Sequence, residues 1–184
     1  MVDNPDRWAL SRNLMPTSST GTESHIALED LILQSTSDLC SVIAIGRTVE
    51  SIGAGKVIAS DDEWTTYFEP LSRKASCIIS VPSNHESTAW ELDWLAQQKL
   101  FTRIVMMFTN LHFSSTDALY FDVRFVRSHL FSKGWSLPTE LAKGSLTTFD
   151  TTGKSRSSVD NPKYKKRVIR SVIQSILAEN TSNR

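Results

Sequence analysis

Residues 77–95 read CIISVPSNHESTAWELDWL, an apolar run that meets a proline and continues as a polar loop and a periodic segment. The run from Ser76 to Val81 predicts a buried strand that ends before the proline. Ser83, with Glu86 three residues later, matches a capping box and predicts the start of a helix. Ligands bind at the carboxyl edge of open α/β sheets, so this segment is the first place to look for a site.

Similar patterns alternate along the rest of the chain. Short apolar runs predict further strands at 41–46, 56–60, 103–108 and 146–150. Helical spacing and capping residues predict helices at 25–40, 60–75, 116–130 and 161–178. Strands that alternate with helices indicate an α/β fold. We expect a three-layer α/β/α domain with a mostly parallel sheet of four to five strands.

The composition indicates one folded domain. The chain has 184 residues, of which 40% are hydrophobic, and this is enough for a single core. Residues 1–24 are rich in small polar residues and proline, and we expect a flexible tail there. Residues 25–180 are expected to form the domain, with a polar connector at 151–162.

Charge and composition argue against several classes of partner. Lys plus Arg and Asp plus Glu both number 20, which favours a small ligand over nucleic acid. The sequence contains neither an apolar run of ~20 residues nor a signal peptide, so we expect a cytoplasmic protein with no membrane segment. Cys40 and Cys77 resemble packing residues, and the four histidines are scattered. We therefore expect neither a metal nor a cofactor.

The candidate site follows the strand that ends near Val81. The loop PSNHES offers backbone N–H groups at a helix N-terminus, where phosphate can bind. Thr88 and Glu91 are three residues apart on the predicted helix and project on the same face. Ser83 and Asn84 either contribute to this loop as substrate ligands or serve only as capping residues.

The sequence PSNHESTAWE after an apolar strand resembles two groups of nucleotide-handling domains. One is the Toll/interleukin-1 receptor (TIR) group; the other comprises nucleoside deoxyribosyltransferase-like and phosphoribohydrolase-like domains, whose Thr-x-x-Glu is matched by Thr88 and Glu91. From Leu28 to Leu95, IAIGR, two glycines, DDEW and STAWEL are similar in order to bacterial TIR-like proteins. The resemblance implies a Rossmann-like fold of the flavodoxin/TIR type.

The resemblance also implies an activity. TIR-like enzymes hydrolyse the N-glycosidic bond of NAD or a related nucleotide, in some cases in bacterial defence signalling. Glu91 would be the catalytic carboxylate, because such a reaction develops positive charge on the ribose. The implied substrate-binding residues are Gly46, Arg47, Ser83, Asn84, Thr88, Trp64 and Trp90, with Arg47 on a phosphate and a tryptophan on a base.

Each of these residues also has a structural interpretation. A helical glutamate is usually solvated, a loop arginine is usually a surface charge, and Trp64 and Trp90 are typical core or interface aromatics. The sequence therefore leaves open whether the chain is an enzyme. The alternatives are a module that senses a nucleotide without cleaving it and a module that self-associates into a homo-oligomer.

Overall fold

The computed structural model describes residues 8–12, 28–46, 55–60, 63–82, 86–108, 123–142, 144–161 and 163–182. These residues form seven strands: β1 (Trp8–Arg12), β2 (Ser41–Gly46), β3 (Gly55–Ile58), β4 (Cys77–Ser80), β5 (Ile104–Met107), β6 (Leu146–Phe149) and β7 (Ser155–Val159). They also form five α-helices, α1 (Leu28–Thr36), α2 (Trp64–Lys74), α3 (Glu86–Gln97), α4 (Val123–Ser132) and α5 (Lys166–Ser182), and a short 3₁₀ helix, Phe101–Arg103. The predicted α/β class is confirmed.

The strands form one sheet in the order β3-β2-β1-β4-β5-β6-β7. Neighbouring strands from β3 to β5 are parallel, whereas β6 pairs antiparallel with both β5 and β7. The sheet is thus mixed and has seven strands, and the prediction of a mostly parallel sheet of four to five strands was wrong. The two additional strands, β1 and β7, lie in segments that are too polar or too short to be recognised from their own pattern.

β1 lies inside residues 1–24, which were predicted to be a flexible tail. Its residues pair with β2 on one side and with β4 on the other, so the strand is central in the sheet. The prediction is therefore corrected for Trp8–Arg12. A five-residue strand has little pattern of its own, and here both neighbours supply its backbone hydrogen bonds.

β7 lies inside the predicted polar connector and forms an edge of the sheet. A tight turn joins β7 to β6. In this turn, Asp150 Oδ1 accepts hydrogen bonds from the backbone N–H groups of Thr152 at 2.8 Å and Lys154 at 3.1 Å. Gly153 has a φ of +82°, and a Cβ atom there would lie 2.3 Å from the carbonyl oxygen of Gly134. The turn therefore requires glycine at this position.

Two apolar clusters cover the two faces of the sheet. Ile78 belongs to the first cluster, whereas its neighbours Cys77 and Ile79 belong to the second, as expected when successive strand residues face opposite sides. The first cluster includes buried residues of α2, α3 and α4, and the second includes buried residues of α1 and α5. The helices that follow β3 and β4 therefore share one side of the sheet.

Candidate functional site

The strand order reverses beside β1. From β1 the chain continues through α1 to β2 on one side of β1, and it later returns through α2 to β4 on the other side. In open α/β sheets, ligands bind outside the carboxyl ends of the strands at such a reversal. β4 ends at Ser80, so the loop singled out in the sequence begins at the carboxyl edge of the sheet.

Thr88 and Glu91 lie on the face of α3 that packs toward the sheet. They share a buried stripe with Leu92 and Leu95, at the spacing of three and four residues that defines one side of a helix. Thr88 is 0% exposed and Glu91 is 4% exposed, and both residues have interaction partners. Because α3 begins at Glu86, just beyond β4, the two polar residues lie in the half of α3 nearest the carboxyl edge.

The two tryptophans predicted to stack on a base are brought together between α2 and α3. The rings of Trp64 and Trp90 meet edge to face, with 4.9 Å between their centroids. Phe68 packs against both rings and against Trp94 as well. Trp64 is only 9% exposed, whereas Trp90 is half-buried, so Trp90 has the more accessible ring of the pair.

Gly46 is the last residue of β2 and lies at the same edge of the sheet. It is opposite Ile58 of β3, and β1 separates it from β4. Two strand spacings amount to about 10 Å, which is the distance expected between Gly46 and the β4 end of the site. Arg47, Ser83 and Asn84 lie outside the described residues.

Ser80 was not singled out in the sequence, although it lies at this edge. It is the last residue of β4 and only 6% exposed. A single serine in an apolar strand is usually a packing residue, so the sequence pattern did not identify Ser80. Its position follows only from the structure, where it is opposite Met106 of β5, a member of the first apolar cluster.

A second acid of α3, Asp93, contacts residues at the end of α4. Asp93 lies 2.8 Å from Lys133 Nζ and 3.2 Å from His129 Nε2. Residues two apart on a helix are separated by about 200°, so Asp93 and Glu91 lie on different sides of α3. The ion pair of Asp93 with Lys133 therefore ties α3 to the end of α4, and Glu91 is the acid on the sheet side of α3.

The described part of the chain contains neither a reactive thiol nor a group of metal-binding side chains. Cys77 is buried, and this burial, together with the nearby Cys40, raises the pKa of its thiol well above the ordinary value. A thiol in such surroundings is not a nucleophile. Among the described residues, no three His, Cys, Asp or Glu side chains group in a way that could hold a metal ion. None of the described helices has the length and apolar character needed to cross a bilayer.

The site must be interpreted from its own geometry. The chain matches no protein-family model, and searches of curated proteins and of solved structures also find no match. The relevant geometry is a buried carboxylate and two buried hydroxyl residues at the carboxyl edge of a sheet, beside a half-buried tryptophan. Carboxylate and hydroxyl groups hydrogen-bond to polar ligands, and a tryptophan ring packs against flat apolar ones.

Proposed function

We propose that this chain hydrolyses the N-glycosidic bond of NAD or a related nucleotide and that Glu91 is its catalytic carboxylate. The observation that carries the proposal is the position of Glu91, which is 4% exposed on the sheet-facing side of α3, beside the strand-order reversal. Carboxylates are rarely buried unless they are paired or have a chemical task, and this one lies where α/β sheets bind ligands.

The reaction needs a negative group close to the ribose. The bond between the anomeric carbon and the base nitrogen breaks, and the base leaves with the bonding electron pair. Positive charge then develops on the ribose ring, where the Glu91 carboxylate stabilises it or bonds to the anomeric carbon. Water adds its oxygen to the anomeric carbon and releases a proton. With NAD, the leaving group is neutral nicotinamide, so the departing base needs no general acid.

The remaining predicted residues have roles in binding within this proposal. Trp90 stacks on a base, and its ring is held by Trp64 through their edge-to-face contact. The phosphates lie against the backbone near Gly46 and the loop around Ser83 and Asn84, with the guanidinium of Arg47 as their cation. Thr88 hydrogen-bonds to the ribose beside Glu91.

The order of the parallel strands supports the resemblance to TIR-like domains. Taken without the edge strand β3, the parallel strands follow the order β2-β1-β4-β5, which corresponds to the 2-1-3-4 part of a flavodoxin-like sheet. Two apolar clusters, one with α1 and α5 and one with α2, α3 and α4, fit a three-layer α/β/α arrangement. We accordingly propose this architecture, with a role in bacterial defence signalling in the cytoplasm.

A second candidate function is nucleotide sensing without cleavage, with self-association as its output. The observation that favours it is the close packing around the site, where both Thr88 and Glu91 are buried and Trp64 is 9% exposed. A carboxylate held in such packing can bind a ribose hydroxyl without reaching the anomeric carbon. The two candidates share the ligand; they differ in turnover and in self-association, which only the second candidate requires.

The deciding test is incubation of the protein with NAD and a panel of nucleotides at low and high protein concentration, followed by chromatography. We expect release of nicotinamide or a free base, reduced at least ~100-fold by Glu91→Gln because the charge-stabilising group is lost. The matched control is Asp93→Asn, which removes an acid from the other side of the same helix and should retain turnover.

The possible results separate the two candidates. Turnover that persists in Glu91→Gln would refute the assigned role of Glu91. Binding of a nucleotide by calorimetry, with no product at any protein concentration, would favour sensing over hydrolysis. Light scattering with and without that nucleotide would then test self-association.

A further inference from the structure

The interface between α3 and the sheet changes from apolar to polar at the carboxyl edge. On α3, the buried residues Leu92 and Leu95 are apolar, whereas Thr88 and Glu91 are polar. On β4, Ser80 is 6% exposed and lies at the carboxyl end of the strand, on the same side as Ile78. Both elements therefore place buried polar side chains at this end of the interface.

Ser80 faces α3 rather than the opposite helices. Residues two apart in a strand share a side of the sheet, so Ser80 is on the side of Ile78, which packs in the first cluster. The register agrees, because Ser80 is opposite Met106 of β5, and Met106 belongs to the same cluster. Leu92 of α3 is also in this cluster. The Ser80 hydroxyl is thus on the side of the sheet that α3 covers.

The chemistry of these three side chains selects one part of a nucleotide. Hydroxyl groups both donate and accept hydrogen bonds, and a carboxylate accepts them, which matches the hydroxyl groups of a ribose. A phosphate would be repelled by the carboxylate and prefers N–H donors and cations. A base requires a flat apolar surface, which Trp90 provides at the α2 side.

We propose that Ser80 is a specificity-determining residue, whose hydroxyl binds the ribose 2′-hydroxyl beside Glu91, so that the site prefers ribonucleotides to 2′-deoxyribonucleotides. The inference rests on the proposed function for the identity of the ligand as a nucleotide. It adds a residue and a sugar preference that neither the sequence pattern nor the resemblance assigned. Sites built to hydrogen-bond a substrate hydroxyl reject the analogue that lacks it, because their buried polar groups then lose a partner.

The test measures binding instead of cleavage, since removal of the 2′-hydroxyl itself changes the reactivity of a glycosidic bond. Calorimetry in the Glu91→Gln background would compare nicotinamide mononucleotide and adenosine monophosphate with their 2′-deoxy counterparts. We expect tighter binding of at least one ribonucleotide, and we expect Ser80→Ala to reduce its ribo-to-deoxy affinity ratio roughly 3- to 10-fold. Ser80→Thr, which keeps a hydroxyl, should retain more of the preference.

The matched control is Ser76→Ala, which removes a second buried hydroxyl, from the residue just before the amino end of β4. It should leave the affinity ratio unchanged. If Ser80→Ala does not fold, Ser80→Cys removes the strong hydrogen-bonding group with little change in volume. An unchanged ratio in a folded Ser80→Ala or Ser80→Cys variant, or no ribo preference in the parent, would overturn the inference.

The proposed function and this inference fail in different ways. Ribonucleotide binding with the expected ratio, but without cleavage by the unmodified protein, would overturn hydrolysis and keep Ser80 in its role. Cleavage that depends on Glu91, with an unchanged ribo-to-deoxy affinity ratio in Ser80→Ala, would support the proposed hydrolysis and refute the role of Ser80. Absence of binding to all four mononucleotides would overturn the inference about Ser80, whereas the proposed hydrolysis would still be decided by the NAD assay.

Discussion

The helices α3 and α5 pack on opposite faces of one sheet and bury different kinds of side chain. The buried stripe of α5 is entirely apolar and consists of Ile169, Ile173, Ile176 and Leu177. The buried stripe of α3 begins with Thr88 and Glu91 and becomes apolar only at Leu92. A helix that only stabilises the fold can keep its whole stripe apolar, whereas one that forms a site gives up apolar burial near the ligand.

The largest effect on stability is expected from truncation of the α5 stripe. Ile173 is 0% exposed within the second cluster, and Ile173→Ala should lower the free energy of unfolding by about 2–5 kcal/mol through lost burial and a cavity. Urea denaturation measures this loss. The counterpart on α3 is Glu91→Gln, an isosteric change that leaves no cavity and should cost less stability than Ile173→Ala while it lowers turnover at least ~100-fold.

This pair of variants can break the comparison directly. A Glu91→Gln variant that loses as much stability as Ile173→Ala would make Glu91 a structural residue like those of α5. A folded Ile173→Ala variant with strongly reduced turnover would mean that α5 also shapes the site. The comparison holds if each variant affects only its own property.

A smaller loss of stability is expected from a substitution at the C-terminal end of α5. Asn180 Nδ2 donates to the backbone oxygen of Ser76 at 3.1 Å and lies 3.4 Å from that of Thr102, which ties the helix to the amino end of β4. Asn180→Ala should lower the free energy of unfolding by about 1 kcal/mol, because the hydrogen bonds of these part-buried groups are lost. Nucleotide binding should not change, since this contact is at the opposite end of β4 from Ser80. Altered binding in a stable Asn180→Ala variant would contradict the separation of the two ends.

The same contrast explains what the sequence could predict of the fold. β2, β4 and β5 are short apolar runs, and such runs identify buried strands by themselves. β1 and β7 read WALSR and SRSSV, and they form strands because neighbouring strands pair with them. Pairing between distant segments leaves no periodicity in either, so the mixed character of the sheet was not predictable from local pattern.

The candidate site was predictable to a similar degree. The sequence of residues 77–95 predicted a strand, a loop and a helix, and it placed Thr88 and Glu91 on one side of that helix. This was possible because capping and helical spacing are local features. The burial of Glu91 and the position of Ser80 depend on the register of β4 with β5 and on the packing of α3, which are not local. The roles of all the predicted site residues stay predictions, and Arg47, Ser83 and Asn84 also lie outside the described residues.

The smallest effect on stability is expected from the surface contact between α5 and the residues just after α1, and this effect depends on pH. Both terminal guanidinium nitrogens of Arg170 donate to the Asp38 carboxylate, Nη2 at 2.7 Å, and this hydrogen bonding lowers the pKa of Asp38. A carboxyl with a lowered pKa in the folded state stabilises the protein above its unfolded pKa of about 4, and the contribution disappears as the pH falls through the folded pKa.

Thermal unfolding of the wild type and Asp38→Asn should therefore show a small wild-type advantage at neutral pH that shrinks below about pH 4. Arg170→Gln should show the same pH dependence, and salt should weaken both effects because the pair is exposed. Nucleotide binding should be unchanged in both variants, since α5 lies on the face of the sheet opposite the site. An advantage that persists undiminished at low pH would mean that the contact stabilises α5 by packing and not by charge.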